Sequence, residues 1–289
     1  MLPSRFEYHR PATLDEALGL LATLGEDAKV LAGGQSLIPM MKLRFASPGH
    51  LIDVNRIAGL DGIEERDGSL RIGALVRHNA LAASDVIGAR YPTIAVAAPQ
   101  IADPLVRNLG TIGGSLSHAD PSGDLGSVML ALDASVVLKS STGEREVAIG
   151  DFLVDTFQTS IAPNEMLTEI RVPAPGARAG GTYLKLERKV GDYATVAAAI
   201  YLELANGSIG KAGIALTSVG LKNIRATAAE ASLVGAAPGD AAFAEAGRLA
   251  AEASSPVEDV RGSEAYKRHM VDVYVRRGLA STFATASAA

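Results

Sequence analysis

Leu31-Ala32-Gly33-Gly34-Gln35-Ser36-Leu37 and, further on, Gly110-Thr111-Ile112-Gly113-Gly114-Ser115-Leu116 are two glycine-pair loops in similar settings. Adjacent glycines let the backbone reach positive φ and approach a ligand closely, and successive N–H groups in such a turn form a concavity for phosphate oxygens. Each pair follows an apolar stretch, has a small hydroxyl residue nearby, and leads into a segment of helical pattern, the arrangement that sets an anion at a helix N-terminus. One glycine pair alone is an ordinary turn or bulge. Two in matching settings point to a diphosphate gripped from two sides.

Neither loop reads G-x-G-x-x-G, and neither ends in the G-K-[ST] that a P-loop uses on β- and γ-phosphates. A diphosphate held by neutral backbone groups fits a tightly kept dinucleotide better than a phosphate in transfer.

The chain has 289 residues, 48% hydrophobic and 20% charged, enough for two domains with sizeable cores. Its 27 basic and 32 acidic residues leave a net charge of −5 with no basic run, which argues against nucleic acid as a partner. No apolar run is long and unbroken enough for a transmembrane helix, and residues 1–10 lack an apolar export core, so the expected location is cytoplasmic. Cysteine is absent, which excludes disulfides, thiol catalysis and an iron–sulfur cluster on this chain's own ligands. The five histidines are scattered, with no i,i+4 pair and no H-E-x-x-H, so no catalytic metal site is expected. His118, between the second glycine loop and Asp120, stands where it reaches a ligand or makes a local hydrogen bond.

Thr13-Leu14-Asp15-Glu16 is a capping box opening an amphipathic helix over residues 13–24, stopped by Gly25. Residues 28–32 read as a strand feeding the first glycine loop, with Ser36 as cap of a helix over 37–43. Residues 51–54 form a further strand, and 63–65 and 70–73 a hairpin. Helices are expected over 78–83, 92–101 and 125–132, and a hairpin pairs 136–138 with 146–149. Asp124, at the start of a helix, suits the helix dipole and equally an acceptor role for ligand hydroxyls. Pro173-Ala174-Pro175-Gly176 marks a boundary, giving domains 1–176 and 177–282 and a frayed tail over 283–289. The second domain reads as three strands, over 183–189, 196–204 and 209–219, the last two joined by Asn206-Gly207. Helices over 225–234, 241–253 and 264–279 follow, the last with Tyr266, Met270, Val273 and Val275 as its apolar side.

With Lys42-Leu43-Arg44 closing the phrase that begins at Ala32, with Thr111-Ile112-Gly113-Gly114, and with Asp120-Pro121-Ser122-Gly123-Asp124 in that order, the chain resembles the FAD-binding medium subunits of molybdenum hydroxylases, the carbon monoxide dehydrogenase and xanthine dehydrogenase family. Lys185 to Ala194 extends the resemblance, which covers almost the whole chain. It implies an α+β fold: a two-lobed FAD-binding domain of the vanillyl-alcohol-oxidase/PCMH-like kind, then a smaller α+β domain with a three-stranded antiparallel sheet. It further implies that Ala32 to Ser36 (Ala32, Gly33, Gly34, Gln35, Ser36) and Thr111 to Ser115 (Thr111, Ile112, Gly113, Gly114, Ser115) wrap the FAD diphosphate, with Leu31 and Leu37 also among the cofactor-binding residues. Asp124 would accept from sugar or ribityl hydroxyls, Ile101 and Leu167 would line the pocket, Lys185 would favour charge on the reduced ring, and Tyr193 would lie beside the isoalloxazine. Without the resemblance, Lys185 reads as a surface strand lysine and Tyr193 as core. The pattern departs at Ser115, where many relatives have asparagine, and at Gln35, where some have histidine.

The resemblance implies a division of labour in which a large molybdenum-cofactor subunit hydroxylates substrate and a small [2Fe–2S] subunit relays electrons singly. This chain's FAD then collects them for an external acceptor, within a dimer of heterotrimers. Three alternatives stay open: a stand-alone FAD-binding module, an FAD-dependent oxidase of the vanillyl-alcohol-oxidase type, and a non-enzymatic binder of another diphosphate.

Overall fold

The computed structural model describes residues 2–288. Three hydrophobic cores organise them, two in the N-terminal region and one in the C-terminal domain.

The first lobe is a parallel three-stranded sheet of β1 (Glu7–His9), β2 (Ala28–Leu31) and β3 (His50–Asp53) in the order β1-β3-β2. Helix Leu14–Leu24 packs Ala17, Leu18 and Leu21 onto it. Thr13 caps that helix by accepting from the Glu16 amide at 3.2 Å, while Glu16 Oε2 accepts from the Ala12 amide at 2.7 Å, so the capping box works one residue further back than the usual reciprocal bond.

The second lobe is an antiparallel five-stranded sheet. Its strands are β4 (Ile63–Arg66), β5 (Ser69–Gly73), β6 (Ser135–Ser140) and β7 (Gly143–Ala148), with a short ribbon of β8 (Leu153–Asp155) and β9 (Gln158–Thr159) apart from it, and then β10 (Met166–Pro173). Strand β10 enters the middle, giving the order β4-β5-β10-β6-β7. Short helices between residues 78 and 131 cover this sheet and share its core.

The C-terminal domain holds β11 (Ala179–Leu186), β12 (Val196–Ala205) and β13 (Ser208–Thr217) in an antiparallel sheet, joined at β12–β13 by Asn206 and Gly207, both at positive φ. A fourth, two-residue strand β14 (Ile224–Arg225) pairs with β13, so the expected three-stranded sheet gains a short edge strand. One face of the sheet lies on helices Pro92–Ala97 and Asp124–Ala131, and the other under helices Thr227–Leu233 and Glu264–Ala288, with helix Asp240–Ala253 packed on those two. Sheet and helices meet so closely that a Cβ on Gly181 or Gly213 would collide with Thr93 or with the Ala131 backbone.

The tail is not frayed at residue 283: the last helix continues to Ala288, with Thr282 and Ala286 buried and Phe283 packed on the domain core. Its inward face is Lys267, Val271, Val275, Leu279 and Ala286; of the expected stripe, Val275 is buried and Met270 packs on the core, whereas Tyr266 is exposed. Lys267 takes a core position because its ammonium finds the Val257 carbonyl and the Asp259 carboxylate, each at 2.8 Å.

Candidate functional site

The two glycine loops are in contact. Ideal Cβ atoms show how closely: one on Gly33 would run into the Leu109 carbonyl and lie 2.7 Å from Gly110 Cα, and one on Gly114 would lie 3.9 Å from Ala32 Cβ. Gly113 approaches Ala74 as tightly, a Cβ there meeting its carbonyl oxygen at 2.6 Å. These glycines are required by chain against chain.

Behind the loops lies a brace that sequence reading missed. Arg77 donates to the Leu109 carbonyl and, at 2.6 Å, to Asn55 Oδ1, while Asn55 Nδ2 donates to the Ala32 carbonyl at 2.8 Å. One arginine and one asparagine thus tie the first loop to the second. Nothing local in the sequence marks them, since β3 and the segment after β5 are brought together only by the fold.

In front of the loops a cleft of about 1000 Å³ runs between the lobes and under the C-terminal domain, at the upper end of ordinary ligand pockets of roughly 300–1,000 Å³. Ala32, Gly33, Gly34, Gln35, Ser36 and Leu37 line it on one side, and Thr111, Gly113, Gly114 and Ser115 on the other. Ile101, Leu167, Asp124, Lys185 and Tyr193 border it as well. Leu31 and Ile112 do not: Leu31 is the last residue of β2, and Ile112 is wholly buried in the core of the second lobe.

The loops differ in what they offer. Among the described residues, no protein acceptor takes the amides of Gly33, Gly34, Gln35 or Ser36; Gly34 at φ 70° turns this run, and Gln35 Nε2 folds back on the Gly33 carbonyl at 3.2 Å. Ser36 makes no side-chain cap to helix Leu37–Lys42, contrary to expectation. In the second loop the amides of Ile112, Gly113 and Ser115 donate to Val76, Ala74 and Thr111 carbonyls, and that of Gly114 to the Thr111 hydroxyl at 3.1 Å. This loop therefore presents a smooth glycine surface and hydroxyls, and the open row of amides belongs to the first.

Deeper in the cleft, Asp124 begins helix Asp124–Ala131 and is 8% exposed. Its carboxylate accepts from the Tyr183 hydroxyl at 2.6 Å and from Lys185 Nζ at 3.1 Å. Burial pushes the Asp124 carboxyl above its ordinary range, and the Lys185 charge pulls the other way. Alternation along β11 puts Tyr183 and Lys185 on the same face, which is why both reach one aspartate. The lysine is no surface residue: its side chain is 1% exposed and it also donates to the Gln100 carbonyl at 3.0 Å, with Glu187 at 3.6 Å.

His118 lines the cleft and packs its ring on Phe157, centroids 5.0 Å apart. Tyr193 stands on the rim, 51% exposed, after the turn in which Gly191 at φ 84° passes Ala102. His78 also borders the cleft, buried beside Gly110, with Nδ1 unpaired. Burial, aided by Arg107 and Arg77, holds its pKa down to about 4. Among the cleft's described side chains only Lys29 and Lys185 carry fixed positive charge.

Two lobes closing on an elongated cleft, with an open row of amides and few cations, define a protein that holds a dinucleotide. Residues 4–175 match the family model described as the FAD binding domain in molybdopterin dehydrogenase, and residues 181–282 that of the CO dehydrogenase flavoprotein C-terminal domain. The carbon monoxide dehydrogenase medium chain of Hydrogenophaga pseudoflava is 43% identical over 284 residues, covering 98% of this chain and 99% of that one. The solved carbon monoxide dehydrogenase from that organism which lacks the Mo-pyranopterin moiety of the molybdenum cofactor superposes with a TM-score of 0.96 at 46% identity, covering 99% of each chain. Quinoline 2-oxidoreductase from Pseudomonas putida 86 does so with 0.93 at 31%, again over 99% of each. The chain belongs to the FAD-binding flavoprotein subunits of molybdopterin dehydrogenases, of the carbon monoxide dehydrogenase medium-chain type. It is a flavoprotein subunit of an oxidoreductase.

Proposed function

We propose that this chain holds FAD non-covalently in the cleft and acts as the electron-exit subunit of a cytoplasmic molybdenum hydroxylase. A large molybdenum-cofactor subunit and a small [2Fe–2S] subunit complete a dimer of heterotrimers, and an external acceptor takes the electrons. The observation that carries this reading is the contact of the two glycine loops over one cleft with the Gly33–Ser36 amides open to it. Bound FAD supplies a centre that takes electrons one at a time and gives them up in pairs.

The chain's own residues bind and orient. The amides of Gly33 to Ser36 hold the diphosphate, with Thr111 and Ser115 hydroxyls across from them and Gly113 and Gly114 leaving room for close approach. Asp124 accepts from a cofactor hydroxyl with a carboxylate already fixed by Tyr183 and Lys185. Lys185 brings fixed positive charge to a water-poor wall, where such charge acts most strongly on a developing anion. Ile101 and Leu167 give apolar walls, and Tyr193 covers the open side.

Neither a covalent attachment nor solitary function is favoured, so the vanillyl-alcohol-oxidase and stand-alone readings are outcomes of the test. The chain is purified from its native source, its partners are identified by native mass, and the flavin is sought after acid precipitation. Release of one FAD per chain, from a complex with a larger and a smaller subunit, supports the proposal. Flavin retained in the pellet, or a monomer in fresh extract, refutes it.

A further inference from the structure

Away from the cleft, the parallel pairing of β1 with β3 sets Glu7 opposite His50, and His9 lies two residues along the same strand. His9 Nε2 and His50 Nδ1 face each other at 3.0 Å, and Glu7 Oε2 lies 3.6 Å from the same His50 nitrogen. One atom from each of the three falls within 4.8 Å of the others. At 3.0 Å one of the two facing nitrogens donates to the other, the direction set by the tautomers. The other edge of His50 faces Asp27, with Nε2 3.8 Å from its carboxylate. Asp27 is itself fixed by the Gly49 amide at 2.9 Å.

We propose that Glu7, His9 and His50 form a site for a divalent transition metal of zinc-like coordination chemistry, with solvent completing the shell and the Asp27 carboxylate 3.8 Å behind the His50 ring. Two imidazoles and a carboxylate are a borderline donor set that favours zinc, copper or nickel over calcium or magnesium. Donors about 2.0–2.1 Å from a tetrahedral zinc lie roughly 3.3 Å apart, and the observed 3.0 and 3.6 Å bracket that separation. With metal bound, the His9 proton sits on Nδ1 and the His50 proton on Nε2, on the side of the Asp27 carboxylate, so that both facing nitrogens offer lone pairs to the ion.

The site has a structural role. Glu7, His50 and Ala28 stand in register across the three strands, at the end where the chain enters the sheet. The glycine loop leaves from the opposite end of β2, and none of Glu7, His9, Asp27 and His50 lines the cleft. Bound metal would tie the N-terminal strand to the strand beside the glycine loop and stiffen the first lobe.

The test is titration of the intact, untagged complex with Zn²⁺ alone, read by calorimetry, by native mass and by thermal melting of the chain. The expected result is one zinc per copy of this chain with low-micromolar or tighter affinity and a melting rise of roughly 5 °C at saturation. His50→Ala and His9→Gln should each weaken it on the order of 100-fold, and Asp27→Asn about 10-fold, while His269→Ala, on the exposed face of the last helix, changes nothing. Zinc uptake indifferent to His9 and His50, or no uptake at this stoichiometry, overturns the proposal. Unchanged flavin content in both histidine variants shows that the fold, and the reading of the cleft, survive whichever way the zinc result falls.

Discussion

Gly33 packs on Leu109 with no room for a methyl group between them: a Cβ on Gly33 would enter the Leu109 carbonyl and crowd Gly110 Cα at 2.7 Å. The contact joins the two loops that the proposal places around one diphosphate. Gly33→Ala should force them apart, lower the flavin content of the purified complex several-fold and cost about 1–3 kcal/mol. Gly62→Ala, where an added Cβ meets nothing within 4 Å, should leave both unchanged. Flavin content by absorbance and urea midpoints check the pair.

Lys185 and Asp124 form an ion pair with almost no water access. Lys185→Met leaves the Asp124 carboxylate buried without its cation, and Asp124→Asn leaves Lys185 only Glu187 at 3.6 Å, so each should destabilise the chain by about 3–5 kcal/mol. The double variant should be less destabilised than the sum of the two, since it leaves no lone buried charge. A double-mutant cycle in urea gives the coupling directly. Additive losses would mean that the pair is not one unit.

The His78 imidazole should make the chain acid-sensitive. Its folded pKa of about 4 lies below the ordinary 6.5, so the unfolded chain takes up the proton first as pH falls. Stability from the neutral ring is complete above pH 6.5 and is lost as pH falls towards 4. The loss should reach about 2 kcal/mol by pH 5. In His78→Asn the midpoint should fall less between pH 7.5 and 5, and an equal fall would contradict the assignment.

Tyr193, half-exposed on the rim, is placed to contribute by its ring. Tyr193→Ala should weaken flavin retention by about 0.5–1.5 kcal/mol, up to roughly tenfold in Kd, and Tyr193→Phe should not. Flavin fluorescence released on dilution measures both.

Much of this site was legible because its signal is local. Glycine pairs, the Asn206-Gly207 turn and the capping box act through the backbone of their own segments, and the structure places the two loops together as their pairing implied. Less was readable where distant segments meet. The saturation of the second loop's amides depends on the Val76 and Ala74 carbonyls, and the brace on Arg77 and Asn55, which no spacing rule connects. Lys185 reads as a surface lysine until β11 is seen packed against the helix that carries Asp124. The last helix runs on to Ala288 because small residues such as Ala286 pack against Gly180 of β11, a contact invisible in a polar, alanine-rich tail. His9 and His50 look scattered at 41 residues apart, yet a parallel strand pair brings them to 3.0 Å.

The central claim is that this chain holds the flavin while its partners deliver the electrons. Its most direct test is anaerobic addition of the enzyme's substrate to the purified complex and, separately, to the flavin-loaded chain alone, following visible flavin absorbance. The account predicts bleaching in the complex and none in the isolated chain. Bleaching of the isolated chain by substrate, or a complex that bleaches equally without its [2Fe–2S] subunit, would contradict it.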